Sequence, residues 1–388
     1  MTKPWSLNDA RVRAVAYQLL LAAAAGIVAW YLVTNTTRNL EERKIASGFS
    51  FLAREAGFEI SETTFLSYNA ADTYLRAIAA GLLNTLRVAV IGIIIATALG
   101  ALIGLARLSR NWLLAKLAAG YVELVRNVPL LVQLFFWYAV ISEHLPGPDN
   151  ALSPLESVFL SNRGIAYPVP RPHFIHPWLG AALATGVALA WALARWTRLR
   201  QAVTGKPFPA FTAGAALALG LPLALYLGAG APLALDRPVL SGFNFSGGAA
   251  LSPEFATLVL GLVIYTAAFI AEIVRAGVLA VDRGQFEAAH SLGLSRRHAI
   301  GLVILPQALR AIVPPLTSQY LNLTKNSSLA VAIGYPDIVS IANTTINQTG
   351  QAIEGIAIIM LVYLTISLAI SALMNWYNRR IALRGTKA

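Results

Sequence analysis

The chain has 388 residues, 57% of them hydrophobic and only 12% charged, with a mean hydropathy of +0.62. Soluble domains carry about 25% charged residues, so most side chains here are expected to face lipid or other apolar helices. The formal charge of +12 does not point to nucleic acid, because the basic residues lie near the ends of apolar runs, where membrane orientation requires them. The absence of cysteine excludes a disulfide framework and a Cys-based metal or redox site.

The first apolar run covers residues 14–33. Lys3, Arg11 and Arg13 precede it, as in a signal peptide, but its length exceeds the usual roughly 7–15-residue apolar stretch of such peptides. It matches a ~30 Å hydrocarbon core and reads as a retained first span. Seven further low-charge runs follow at about 78–106, 117–141, 178–194, 208–229, 255–275, 309–335 and 353–377, which predicts an all-α integral membrane protein with about eight transmembrane helices. The fourth and fifth read as a hairpin around Arg195 to Lys206.

Placing the N-terminus in the cytoplasm puts 19 of the 30 basic residues on that side, eight outside and three (Arg87, Arg126, Lys325) within spans. Lys/Arg bias sets topology, so both termini are predicted to be cytoplasmic. Of the two long external loops, 34–77 is expected to form a small helical cap. The proline-rich 143–177 is expected to be irregular.

The third span begins with Glu123 and Arg126, three apart on one helix face, then Pro129 and Gln133. Glu272 and Arg275 repeat the spacing in the sixth span. Both pairs are candidates for gates or structural ion pairs, with partial mutual neutralisation expected.

Between the sixth and seventh spans lies Glu287-Ala288-Ala289-His290-Ser291-Leu292-Gly293, followed by Leu305-Pro306. Asp282 to Leu292 is predicted to be a short helix with acidic residues near its start, where the macrodipole favours them. Gly293 supplies a left-handed stop. Ser295 is placed to cap a second helix, Arg296 to Leu305, whose continuation Pro306 restricts. Two short helices joined at a bend can fit a cleft on a soluble partner. No Gly-x-x-x-x-Gly-Lys-[Ser/Thr] loop is present, so ATP and Mg, if they drive transport, are expected in a separate ATPase and no cofactor in this chain.

The seventh span contains Asn322, Lys325, Asn326, Ser327 and Ser328. If the helix enters near Ala311, Lys325 lies ~21 Å along it. A charge at that depth costs at least ~2.5–3.5 kcal/mol, so it should face a cavity or a partner. These residues, with Gln133, are candidates for a substrate path; a structural ion pair is the alternative for Lys325.

Several stretches resemble the polar-amino-acid branch of ABC importer permeases: Glu-x-x-Arg-Asn-Val-Pro-Leu-Leu-Val-Gln (123–133), Tyr-Thr-Ala-Ala-Phe-Ile-Ala-Glu-Ile-Val-Arg (265–275), Leu-Pro-Gln-Ala-Leu-Arg (305–310) and Lys-Asn-Ser-Ser-Leu (325–329). The Glu287 loop resembles that family's EAA loop, with Val303 where the family usually has Ile. The resemblance covers roughly 78–145 and 254–385; the extra first span and the insertion at about 146–253 look like the general L-amino-acid permeases. It implies a type I importer permease core of five helices, in parts 78–145 and 254–388, with an N-terminal segment 1–77 and an inserted helical hairpin 146–253. Glu287, Ala288, Ala289, Gly293, Leu305 and Pro306 would be the ATPase-coupling residues. Implied partners are a second, similar permease in a heterodimer, a dimeric ABC ATPase, a periplasmic amino-acid-binding protein and an L-amino acid, in a bacterial inner membrane. The rivals are an ion-coupled secondary transporter, which favours membrane carboxylates and inverted repeats, and a non-transporting anchor or receptor.

Overall fold

In hydrocarbon every backbone N–H and C=O needs a partner within the protein. The apolar runs of this chain meet that need as helices in the computed structural model, which describes residues 10–42, 47–205, 208–230 and 234–381. In chain order they are α1 (Ala10–Glu42), α2 (Tyr74–Arg107), α3 (Trp112–Asn127), α4 (Leu130–Ala139), α5 (Ile175–Thr204), α6 (Ala210–Gly228), α7 (Pro253–Leu279), α8 (Arg283–Ser291), α9 (Arg296–Ala299), α10 (Leu305–Asn326), α11 (Ile338–Thr349) and α12 (Ala352–Ile381). Among the described residues seven stretches are long and apolar enough to cross a membrane, or eight if one bent pair is a single span. The membrane class and the number of spans thus follow the sequence reading. Of the basic residues used to orient the chain, Lys3, Arg43, Lys44, Lys206, Arg384 and Lys387 lie outside the described residues, as does the side chain of Arg11.

The chain divides into two compact units, Met1–Trp137 with Thr257–Ala388, and Tyr138–Ala256. In the first, α2 packs against α3, α10 and α11. Its buried stripe is made of small residues, among them Ala77, Gly81, Val88, Gly92, Ala96, Gly100 and Gly104. Small residues let membrane helices approach closely. A methyl on Gly100 would stand 2.6 Å from Ile270 Cβ on α7, and one on Gly104 2.7 Å from the Ala271 carbonyl.

Several expectations are corrected. The loop after α1 is not a helical cap. Positive φ at Gly48 and Gly57 turns the chain, and among its described residues the loop has one 3-10 turn, at Phe49–Ala53, that packs Phe51 edge-on to Tyr74 with ring centroids 5.9 Å apart. This loop also brings Glu62 onto the buried guanidinium of Arg87, which the Thr64 hydroxyl accepts from at 2.8 Å. Arg87 is thereby neutralised within its helix.

The third span is not one helix. Val128 is extended, as a residue before proline prefers, and α3 meets the stretch Leu130–His144 at 103°. The Gln133 amide donates to the Val125 carbonyl at 2.9 Å and the Val128 carbonyl at 3.0 Å, satisfying groups that the break releases.

After Asn326 the chain tightens into a 3-10 segment, Ser327–Ile333, and stops at Gly334 with φ of 80°. The sequence reading has no helix between 335 and 353. The structure has α11 there, burying Ile338, Ile341, Ala342 and Thr345. Asp337 caps it, accepting from the Ser340 N–H at 2.8 Å.

The second unit holds the α5–α6 hairpin. It also holds short antiparallel strands, the first four of them where irregular chain was expected: β1 (Leu152–Leu155), β2 (Val158–Ser161), β3 (Gly164–Tyr167), β4 (Val169–Pro170), β5 (Leu235–Asp236), β6 (Val239–Ser241), β7 (Asn244–Ser246) and β8 (Ala249–Leu251). One sheet runs β1-β2-β3-β8, with β4-β5 and β6-β7 as separate pairs. Pro154 sits in the edge strand β1 and Pro170 in the two-residue β4, places where a missing N–H is tolerated.

Two outcomes follow from these connections. Asp337 is fully buried, and that burial pushes its carboxyl up to about 7, only partly offset by the N–H groups of Ser340 and Val339. A raised folded-state value favours the protonated form. Its contribution to stability is present below the ordinary carboxyl range near pH 4 and is lost as pH rises through about 7. Asp337→Asn, which keeps the cap acceptor, is expected to flatten the fall in melting temperature between about pH 5 and pH 8; an unchanged slope contradicts this. Gln133→Leu leaves two carbonyls of the bend unpaired, at about 1–3 kcal/mol each. A clear loss of melting temperature in detergent is expected, and none if the bend is held by other contacts.

Candidate coupling loop and polar path

Asp282 ends the chain's exit from α7 and starts α8: its Oδ1 accepts from the Gly284 N–H at 2.6 Å, the ordinary way a short acidic side chain caps a helix. At the other end Gly293 takes φ of 74°. The Gly293 N–H donates to the His290 carbonyl at 2.9 Å and the Leu294 N–H to the Ala289 carbonyl at 3.1 Å, the paired closure of a Schellman motif. Both ends of the loop helix are therefore fixed by the chain itself.

Along α8 the side chains divide by exposure. Glu287 and Ala288 face outward, Ala289 is buried, and Leu292 is 81% exposed just before the stop. Leu292 was not singled out from the sequence; an apolar residue immediately before a glycine stop is its only signal. The Ser295 hydroxyl lies 2.7 Å from His298 Nδ1. Its predicted side-chain cap to a backbone N–H is not formed.

Pro306 does not end the second helix. α9 passes through a wide π turn at Ile300–Ile304 directly into α10. Proline cannot donate and its ring crowds the carbonyl four residues back; at the start of α10 it sits where no donor is needed. Leu305 is exposed and Pro306 partly so. The Gln307 amide donates to Gln285 Oε1 at 3.0 Å and to the Val303 carbonyl at 3.0 Å. This ties α8 to α10, a link not foreseen from the sequence.

α10 buries Ala308, Ile312, Val313, Leu316, Leu323 and Thr324. Its other face exposes Ala311, Pro314, Pro315, Ser318, Asn322 and Lys325. Residues three and four apart share a helix face, so Ser318, Asn322 and Lys325 form one polar stripe. Among the described residues Lys325 makes no ion pair. The other candidates separate from it: Ser327 is buried and donates to the Thr324 carbonyl at 2.7 Å, Ser328 donates to the Lys325 carbonyl at 2.8 Å, and Gln133 serves the α3–α4 bend. Asn326 is partly exposed at the end of α10.

The two acid–base pairs also differ. Glu272 bonds Arg275 on its own helix and Arg107 at the end of α2, so it bridges two cations and locks α7 to α2 beside the Gly104 contact. Glu123 and Arg126 do not pair as expected. Both are exposed, and the Arg126 guanidinium lies over the Phe269 ring, 5.0 Å from its centroid, a geometry that stabilises a cation without an acid.

Residues 96–383 match the family model described as binding-protein-dependent transport system inner membrane component. The chain is 47% identical to the general L-amino acid transport system permease protein AapQ of Rhizobium johnstonii, over 97% of this chain and 94% of that protein. It is 52% identical to the putative amino-acid ABC transporter permease protein YhdX of Escherichia coli, over 97% and 96%. A third relative, the glutamate/glutamine/aspartate/asparagine transport system permease protein BztB of Rhodobacter capsulatus, is 42% identical over 97% and 96%. No observation favours the ion-coupled alternative. This chain belongs to the family of inner membrane components of binding-protein-dependent transport systems.

Proposed function

We propose that this chain lines the membrane path of an ATP-driven importer of L-amino acids and is driven through the loop around Glu287. The observation that carries the reading is mechanical. A helix closed at both ends presents Glu287, Ala288 and Leu292 outward and is tied through Gln285 and Gln307 to α10, the same helix that carries Ser318, Asn322 and Lys325. A partner that grips the loop moves the polar stripe. Relatives named as amino-acid permeases support the substrate class.

In this reading a dimeric ABC ATPase, holding ATP and Mg, docks on Glu287, Ala288, Ala289, Gly293, Leu305 and Pro306. The chain sits in a bacterial inner membrane with both termini cytoplasmic, as the placement of its basic residues supports. A second, similar permease covers the exposed Glu123 and Arg126, whose charges are too costly to leave in lipid. A periplasmic binding protein delivers the amino acid. Lys325, without an ion pair among the described residues, offers a cation to the substrate carboxylate, with Asn322 and Ser318 as neutral hydrogen-bonding groups.

The test is uptake in proteoliposomes containing the whole complex. ATP-dependent uptake of L-amino acids is expected; uptake driven by an ion gradient without ATP would sink the proposal. Glu287→Lys is expected to dissociate or uncouple the ATPase while insertion is retained, and normal uptake in that variant counts against the docking role. Lys325→Met should lower uptake at least about tenfold, a loss of ~1.4 kcal/mol, with ATPase assembly unchanged. Full uptake in that variant would remove Lys325 from the path.

A further inference from the structure

The hairpin of α5 and α6 takes no part in the coupling loop or the polar stripe. Its helices meet closely at two glycines: a methyl on Gly186 would stand 2.6 Å from the Leu217 carbonyl, and one on Gly214 3.2 Å from Ala190 Cβ. Beside this contact a crevice of about 480 Å³ runs along both helices. On α5 it follows one face from Val187 through Ala190 and Ala194 to Thr197, Arg198 and Gln201, and on α6 it runs from Ala218 back to Ala210, with Phe208 just before that helix. Fourteen residues of helix make it ~21 Å long, more than one leaflet's half of a ~30 Å hydrocarbon core.

The crevice is graded. Alanines, glycine and valine line one end; Thr197, Arg198 and Gln201 stand at the other, beside Phe208 and an 88% exposed Phe211. Thr197 is buried, with its hydroxyl bonded to the Ala194 carbonyl at 3.1 Å. The Arg198 Nε donates to the same carbonyl at 3.2 Å, and the rest of its guanidinium borders the opening. Arg195 and Arg200 flank it, each over a tryptophan ring, Trp191 and Trp196, at 5.9 and 5.3 Å from the centroids. Between Glu156 and Asp236 the sequence has no acidic residue, so nothing on the hairpin neutralises this end.

An apolar channel of acyl length that ends in unneutralised guanidinium and amide donors is complementary to one kind of molecule. We infer that the α5–α6 crevice is a binding site for an anionic glycerophospholipid, its phosphate at Arg198 and Gln201 and an acyl chain along Val187, Ala190 and Ala194. Basic pockets between membrane helices hold anionic head groups by the same physics. Trp191, Trp196 and Phe211 mark the interfacial depth at which such a head group lies.

The test uses the full-length chain, repurified from detergent micelles holding equal amounts of dioleoyl phosphatidylglycerol and dioleoyl phosphatidylcholine, with retained lipid counted by mass spectrometry. Preferential retention of phosphatidylglycerol is expected, and Arg198→Gln should lower that preference about fivefold. Arg110→Gln, which removes an exposed cation that does not line the crevice, should leave it unchanged. Equal retention of the two lipids, or an Arg198→Gln protein that keeps the full preference, overturns the site. Millimolar glycerol 3-phosphate should not displace the lipid; if it does, the site is one for a free phosphate and the lipid assignment fails. A measurement independent of variant folding uses phosphatidylglycerol with a photoreactive acyl chain on the unaltered protein. Cross-links are expected within 187–194 or 214–218, and cross-links confined to other segments refute the proposal.

Discussion

Inside a bilayer a backbone group that loses its helical partner has no water to turn to, and each break in the helices of this chain is closed by a local protein contact. At Pro129 the Gln133 amide takes up two carbonyls. At Pro306 the chain widens into a π turn, so that the missing donor falls at the start of a new helix. After Gly334 the buried Asp337 begins α11 by capping it. These three repairs fix where the polar residues point. Arg126, two residues before the α3–α4 bend, lies over Phe269, and the Gln285–Gln307 bond ties the Glu287 loop to α10 just beyond Pro306.

Cations on the helices are met by partners in the same way. Arg87 is met by Glu62 from a loop, Arg107 and Arg275 share Glu272, and Arg126 rests on an aromatic ring. Lys325 stands apart, on an exposed stripe of α10 with two neutral polar neighbours. Lys325 thus differs from these four cations in having no ion pair or aromatic ring against it among the described residues. Its stripe belongs to the helix the coupling loop is bonded to.

The spans were legible because a run of about twenty apolar residues has few alternatives, and the loop because Gly293 and Asp282 have one conformational use each in that setting. The bend was half legible: Val128-Pro129 forbids an uninterrupted helix, but Gln133 looked like a pathway residue because its acceptors are backbone atoms, which a sequence does not display. The strands of 152–170 were hidden by prolines that turn out to occupy edge positions. Glu62 with Arg87, and Arg107 with Glu272, join residues far apart in the chain. No periodicity reports such pairs. The helix α11 had visible caps in Asp337 and Gly350, yet its Asn and Thr content reads as loop.

The π turn between α9 and α10 has a consequence of phase. Each such turn holds one residue more than an α-helix of the same rise, so everything before it is rotated by about 100° relative to an unbroken helix. The faces of α9 and α10 are therefore offset by one residue's angle from where an unbroken helix of the same sequence would set them. Removing a single residue from Ile300–Ile304 would let the turn relax to ordinary α-helix and leave the faces on its two sides at the angle they now have. The wide turn thus absorbs one residue, and the relative setting of the two helices does not depend on the chemistry at either end.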